Sequence, residues 1–78
     1  LYLNNNEIKD LPIEINNLTN LEVFNLNYNQ ITKCNFVLNL INLKHLDLSN
    51  NEITACDVIE KLTNLERLHF NNNQIKTI

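Results

Sequence analysis

Leu40-Ile41-Asn42-Leu43-Lys44-His45-Leu46-Asp47-Leu48-Ser49-Asn50-Asn51-Glu52-Ile53 is the stretch that decides the fold. Its leucines fall at 40, 43, 46 and 48, followed by an asparagine at 51 and Ile53. The same places are held upstream by Leu18, Leu21, Phe24, Leu26, Asn29 and Ile31, and downstream by Leu62, Leu65, Leu68, Phe70, Asn73 and Ile75. The chain opens partway through one more copy, at Leu1, Leu3, Asn6 and Ile8. Asn6, Asn29, Asn51 and Asn73 therefore recur at steps of 23, 22 and 22 residues. A repeat of that period means a solenoid, in which each coil packs only on its neighbours.

Each column has a physical role. The pairs Leu1/Leu3, Phe24/Leu26, Leu46/Leu48 and Leu68/Phe70 have period two, so both side chains point to one face of a short strand. Successive strands would pair in parallel, about 4.8 Å apart. The asparagine that follows sits where the chain turns back. Its amide has two donors and an acceptor, enough to satisfy turn backbone that would otherwise be buried unpaired. The return legs carry Ile15/Leu18/Leu21, Val37/Leu40/Leu43 and Ile59/Leu62/Leu65. Spacing of three and three suits a 3₁₀ turn or short helix with one buried stripe. The first leg holds one residue more and contains Leu11-Pro12. Proline fixes φ and lacks a donor, so that leg should start extended.

The pattern resembles the leucine-rich repeat family, whose signature is L-x-x-L-x-L-x-x-N-x-L, and the resemblance covers essentially the whole chain. It implies an α/β fold: a leucine-rich repeat solenoid with a curved parallel sheet on the concave face and short 3₁₀ or helical turns on the convex face. The 22-residue copies look like the short-repeat subclass of internalin-type proteins, while the Leu-Pro copy looks like longer repeats of intracellular signalling proteins. Residues 1–78 read as one domain of about three and a half repeats, near the minimum that stands alone. Neither end carries the polar cap expected of a terminal repeat, so the reading is a fragment of a longer array. Its apolar ends would permit self-association.

Composition excludes several function classes. The net charge is −3 and the basic residues are scattered, whereas nucleic-acid binding needs a basic stripe. No apolar run approaches the ~20 residues of a membrane helix. Nothing in the pattern calls for a cofactor. Glycine is absent, so Asn5, Asn27, Asn50 and Asn72 are expected to share the turn positions with φ > 0, a region asparagine tolerates. AT-rich codon usage is expected to account for the larger share of the asparagine excess.

Cys34 and Cys56 occupy one column in adjacent copies, together with Leu11 and Ile78. The column-mates favour reading both as small buried hydrophobes. On that reading the thiols are reduced and a cytosolic setting is weakly preferred. The alternative is a disulfide, if neighbouring coils bring the Cα atoms within about 4.4–6.8 Å. A sequon, Asn17-Leu18-Thr19, leans weakly away from the cytosol.

The residues between and beside the strand leucines point out of the sheet. One column holds Val23, His45 and Arg67; the next Tyr2, Asn25, Asp47 and His69; the next Asn4, Asn27, Ser49 and Asn71. Variation between copies is concentrated there. The resemblance implies a protein-recognition surface on the concave face, with His45, Asp47, Arg67 and His69 as the discriminating contacts. Val23, Asn25, Asn27, Ser49 and Asn71 complete it. The two histidines would make binding pH-sensitive near neutrality. His45, Asp47 and Ser49 also suggest a triad on paper. Alternate residues of a strand lie about 6.5–7 Å apart, however, and an open shallow face does not exclude water. Neither catalysis nor a metal site is expected. Asp47 and His69 should pair across strands. The reading is a non-enzymatic scaffold for a protein partner. The alternatives are the targeting repeats of a larger kinase, ligase or GTPase-type enzyme, or a secreted adhesin.

Overall fold

A computed structural model describes residues 1–74. Ile75 and Ile78, expected in the isoleucine and cysteine columns, lie outside the described residues. Three short strands, β1 (Val23–Asn25), β2 (His45–Asp47) and β3 (Arg67–His69), alternate with three 3₁₀ turns, η1 (Ile13–Asn17), η2 (Asn35–Val37) and η3 (Asp57–Lys61). The strands form one parallel sheet in the order β1-β2-β3. Val23 faces His45 and His45 faces Arg67; Asn25 faces Asp47 and Asp47 faces His69. The register is therefore the repeat step itself. The first copy contributes a single parallel bridge, Tyr2 with Asn25, in place of a full strand.

The three-and-three spacing of the return legs is realised bond by bond. Ile15, Leu18 and Leu21 each donate their N–H to the carbonyl three residues back, on Pro12, Ile15 and Leu18. Val37, Leu40 and Leu43 repeat this from Cys34, and Ile59, Leu62 and Leu65 from Cys56. This i to i+3 closure sets side chains three apart on one stripe, and in the middle coil that stripe is fully buried: Val37, Leu40 and Leu43 all have 0% exposure. Pro12 is extended, at φ −65° and ψ 154°, and launches η1 without a side-chain cap.

Between sheet and return legs lies one apolar core of Phe24, Leu26, Ile31, Val37, Leu40, Leu43, Leu46, Leu48, Ile53 and Leu62, with Cys34. Phe24 meets Phe36 edge to face, with ring centroids 6.1 Å apart and planes at 87°, the geometry aromatic quadrupoles favour. In the outer coils the same columns are open: Leu68 is 38% exposed where its column-mate Leu46 is 1%.

Two expectations are corrected here. Cys34 and Cys56 are not free buried thiols: they form a disulfide, with Cα atoms 5.8 Å apart. The cause is the repeat itself, since one column in adjacent coils places the two residues inside the bridging distance. The reduced thiols that favoured a cytosolic setting are thereby removed, because disulfides persist in oxidising compartments. Second, the residues with φ > 0 are Asn5, Tyr28, Asn50 and Asn72, so Tyr28 takes the place expected of Asn27. The extra residue in the first return leg makes the first step 23, and position 5 therefore maps to 28.

Candidate functional site

The sheet's outward face is built by alternation. Phe24, Leu46 and Leu68 point to the core side, so Val23 and Asn25, His45 and Asp47, and Arg67 and His69 project to the other. Parallel register sets them in rows across the coils. The rows line a shallow hollow of about 180 Å³, closed at the first coil by Tyr2. Arg67 and His69 are exposed, while Val23, Asn25, His45 and Asp47 are half-buried. The face is therefore open and shallow, without the enclosure of a typical small-molecule pocket.

The expected Asp47–His69 pair is not formed. Asp47 turns along its own strand, where its Oδ1 accepts the Ser49 N–H at 3.0 Å. Asn25 does the same with the Asn27 N–H at 3.0 Å. A side-chain oxygen reaching the amide two residues on is the Asx turn, and it ends β1 and β2, while β3 ends on His69 instead. Among the described residues the single ion pair is Lys44 with Glu22, at 3.4 Å and exposed. Nor does the strand gather a triad. The Ser49 hydroxyl donates to Asn71 Oδ1 at 2.7 Å and is thereby committed, and Ser49 is only 4% exposed. Among the described residues, no group of three or more His, Cys, Asp or Glu comes together to hold a metal.

Below this face runs the asparagine column that supports it. Asn29 Nδ2 donates to the carbonyls of Leu26 and Leu3, both at 3.0 Å, and its Oδ1 accepts the Ile8 N–H at 3.1 Å. Asn51 repeats the arrangement with Leu48, Leu26 and Ile31, and Asn73 with Phe70, Leu48 and Ile53. Asn6 holds only its own coil, through Leu3 and Asn4. Asn29, Asn51 and Asn73 thus each tie their own turn to the preceding coil.

Two further asparagine ladders were not anticipated. On the rim of the concave face, Asn72 Nδ2 donates to Asn50 Oδ1 and Asn50 Nδ2 to Asn27 Oδ1, each at 2.9 Å. Tyr28 cannot extend an amide chain, so Asn27 beside it takes the last rung. At the other end of the strands, Asn42 Nδ2 donates to the Thr19 carbonyl at 2.8 Å and Asn64 Nδ2 to the Ile41 carbonyl at 2.9 Å. Asn20, Asn42 and Asn64 recur every 22 residues, a signal as regular as the column that was read.

The family profile described as "Leucine Rich repeats (2 copies)" matches residues 1–39 and again 41–78. The chain belongs to the leucine-rich repeat family. Its coils superpose on a leucine-rich repeat protein of Leptospira interrogans with a TM-score of 0.91 and 40% identity, covering 99% of this chain and 20% of that one. They superpose on an internalin of Listeria monocytogenes, InlF, with a TM-score of 0.88 and 31% identity, covering 99% of this chain and 22% of that one. No curated protein matches the chain. These leucine-rich repeats thus span about a fifth of the length of either solved neighbour. Among the described residues no helix is long and apolar enough to cross a membrane.

Proposed function

We propose that these repeats are a binding scaffold that holds a protein partner against the concave face. The observation that carries this reading is where the coils differ. The core columns repeat as Phe24, Leu46 and Leu68 and as Leu26, Leu48 and Phe70, while the outward rows read Val23, His45, Arg67 and Asn25, Asp47, His69. A solvated face needs only to be polar. This one changes side-chain chemistry at every rung on a backbone held rigid by the asparagine column beneath it, which is how repeat scaffolds present extended surfaces. The likeness to an internalin supports the same reading. Asn27 and Asn71 would supply hydrogen bonds at the rim, and Ser49, being buried, acts through Asn71.

The competing reading is a targeting module attached to a catalytic domain, since the chain spans only a fifth of its solved neighbours. Self-association through the faces that carry Leu18 and Leu68 is proposed on their 42% and 38% exposure and is checked by sedimentation. The deciding experiment substitutes His45, Asp47, Arg67 and His69 together in the native protein and repeats partner capture. Retention of the partner by that variant would sink the concave-face reading.

A further inference from the structure

The chain's one arginine and both of its histidines are Arg67, His45 and His69. All three project from the same face of two adjacent strands, with His45 directly opposite Arg67 and His69 directly opposite Asp47. Asp47 is the one carboxylate on that face, and its Oδ1 is occupied by the Ser49 N–H. The other acidic side chains, including Glu22 and Glu66 at the strand starts, are exposed and off these rows. Lys44, between those two glutamates in the stack, is paired with Glu22. Arg67 has no ion pair among the described residues. A chain of net charge −3 thus gathers its one guanidinium and both imidazoles at one end of a shallow hollow. The other end, formed by Tyr2 and Val23, is aromatic and apolar.

We infer that the concave face recognises an acidic segment of its protein partner, seating a carboxylate on Arg67 between the two imidazoles and an apolar or aromatic side chain against Tyr2 and Val23. This rests on the concave-face reading above and names the partner's chemistry. The guanidinium fork matches a carboxylate in two parallel hydrogen bonds. Each imidazole presents an N–H donor whether or not it is charged. From the coil of Val23 to that of Arg67 is two strand spacings, about 10 Å. An extended chain crosses that distance in about three residues. The partner's acidic and apolar residues should therefore be about three apart in a segment running across the strands.

The test uses fluorescent peptides of about ten residues, spanning the strand rows at extended length. One carries Phe with Asp three residues on; its counterparts carry Asn or Lys in place of Asp. Anisotropy is read at about 50 and 200 mM salt, where exposed charges are screened to different degrees. The acidic peptide should bind about tenfold tighter than the Asn peptide at the lower salt, a ratio worth one charge-assisted contact. Arg67→Gln should abolish the preference, with an unchanged thermal melt. Asp47→Asn, which removes the only carboxylate of the face, should tighten binding of the acidic peptide alone. Equal binding of acidic and Asn peptides, preference for the Lys peptide, tighter binding of a single-stranded oligonucleotide, or no binding by any peptide each overturns the inference. If Val23→Lys weakens all three peptides alike, the concave face binds but the acidic preference is wrong. If peptides bind and no substitution on the face changes their affinity, both readings fall.

Discussion

Asn51 Oδ1 accepts the backbone N–H of Ile31, in the coil before it, at 3.0 Å, with both residues buried. The same amide donates to Leu26 and Leu48, but those carbonyls are also reached by Asn29 and Asn73. Truncation therefore leaves them one donor each, whereas the Ile31 N–H loses its only partner. An unpaired buried backbone donor costs about 1–3 kcal/mol. Asn51→Ala should lose about 3 kcal/mol, and Asn51→Asp no less, because a carboxylate would face those same carbonyls. Asn6→Ala, at an exposed site where the amide bonds only to Leu3 and Asn4 of its own coil, should lose less than about 1 kcal/mol in this 78-residue chain. Urea titration of the three variants gives the comparison, and equal losses at the two positions would remove the tie between coils as the cause.

Tyr28 offers the opposite sign. It has φ 60° in a column otherwise made of asparagine, and the residue is 57% exposed, so little packing opposes relief of the strain. A bulky residue in the left-handed region costs roughly 1–2 kcal/mol, which asparagine partly avoids. Tyr28→Asn should raise stability by about 1 kcal/mol. A lower urea midpoint would mean that the ring is held by contacts worth more than its strain.

These two positions also show what was legible in the residues. Leu40, Leu43, Leu46, Leu48 and Asn51 announced coil, strand and turn, because repetition lets each copy check the others. The spacing of three and three allows a 3₁₀ turn or a short helix, and the legs are 3₁₀. What failed was pairwise geometry. Register sets Asp47 beside His69 across the sheet, yet a closer amide on its own strand captures it, and local competition of that kind leaves no periodic trace. Cys34 and Cys56 share a column whose apolar members point to buried thiols, while the spacing of adjacent coils, 5.8 Å between their Cα atoms, is what decides the bridge. At Tyr28 the 23-residue step fixes the left-handed position, and residue type, which points to Asn27, does not.

The disulfide joins neighbouring coils across a sequence separation of 22 residues. In the chain-entropy account, closing a loop of that length stabilises the fold by about 3 kcal/mol, by limiting the unfolded ensemble. Replacing both Cys34 and Cys56 with Ala should lower stability by about that amount, plus the smaller packing loss at Cys34. Adding reductant to the native protein should give a similar fall in the urea midpoint, and to leave the variant unaffected. If reductant leaves the native protein unchanged, the bridge contributes nothing to its stability.

Asp47 separates fold from recognition. Its fold role is to accept the Ser49 N–H through Oδ1, and one coil earlier Asn25 fills the same role through the same atom. Asparagine at 47 therefore keeps the turn and removes only the charge. Asp47→Asn should shift stability by less than about 0.5 kcal/mol, as surface changes that preserve a bond do. Asp47→Ala removes the acceptor and should cost about 1 kcal/mol, the usual worth of one hydrogen bond. Matched urea titrations decide this, and a large loss in the Asn variant would show that the carboxylate's charge matters to the strand end. With stability unchanged, any altered partner binding by Asp47→Asn belongs to the concave face itself.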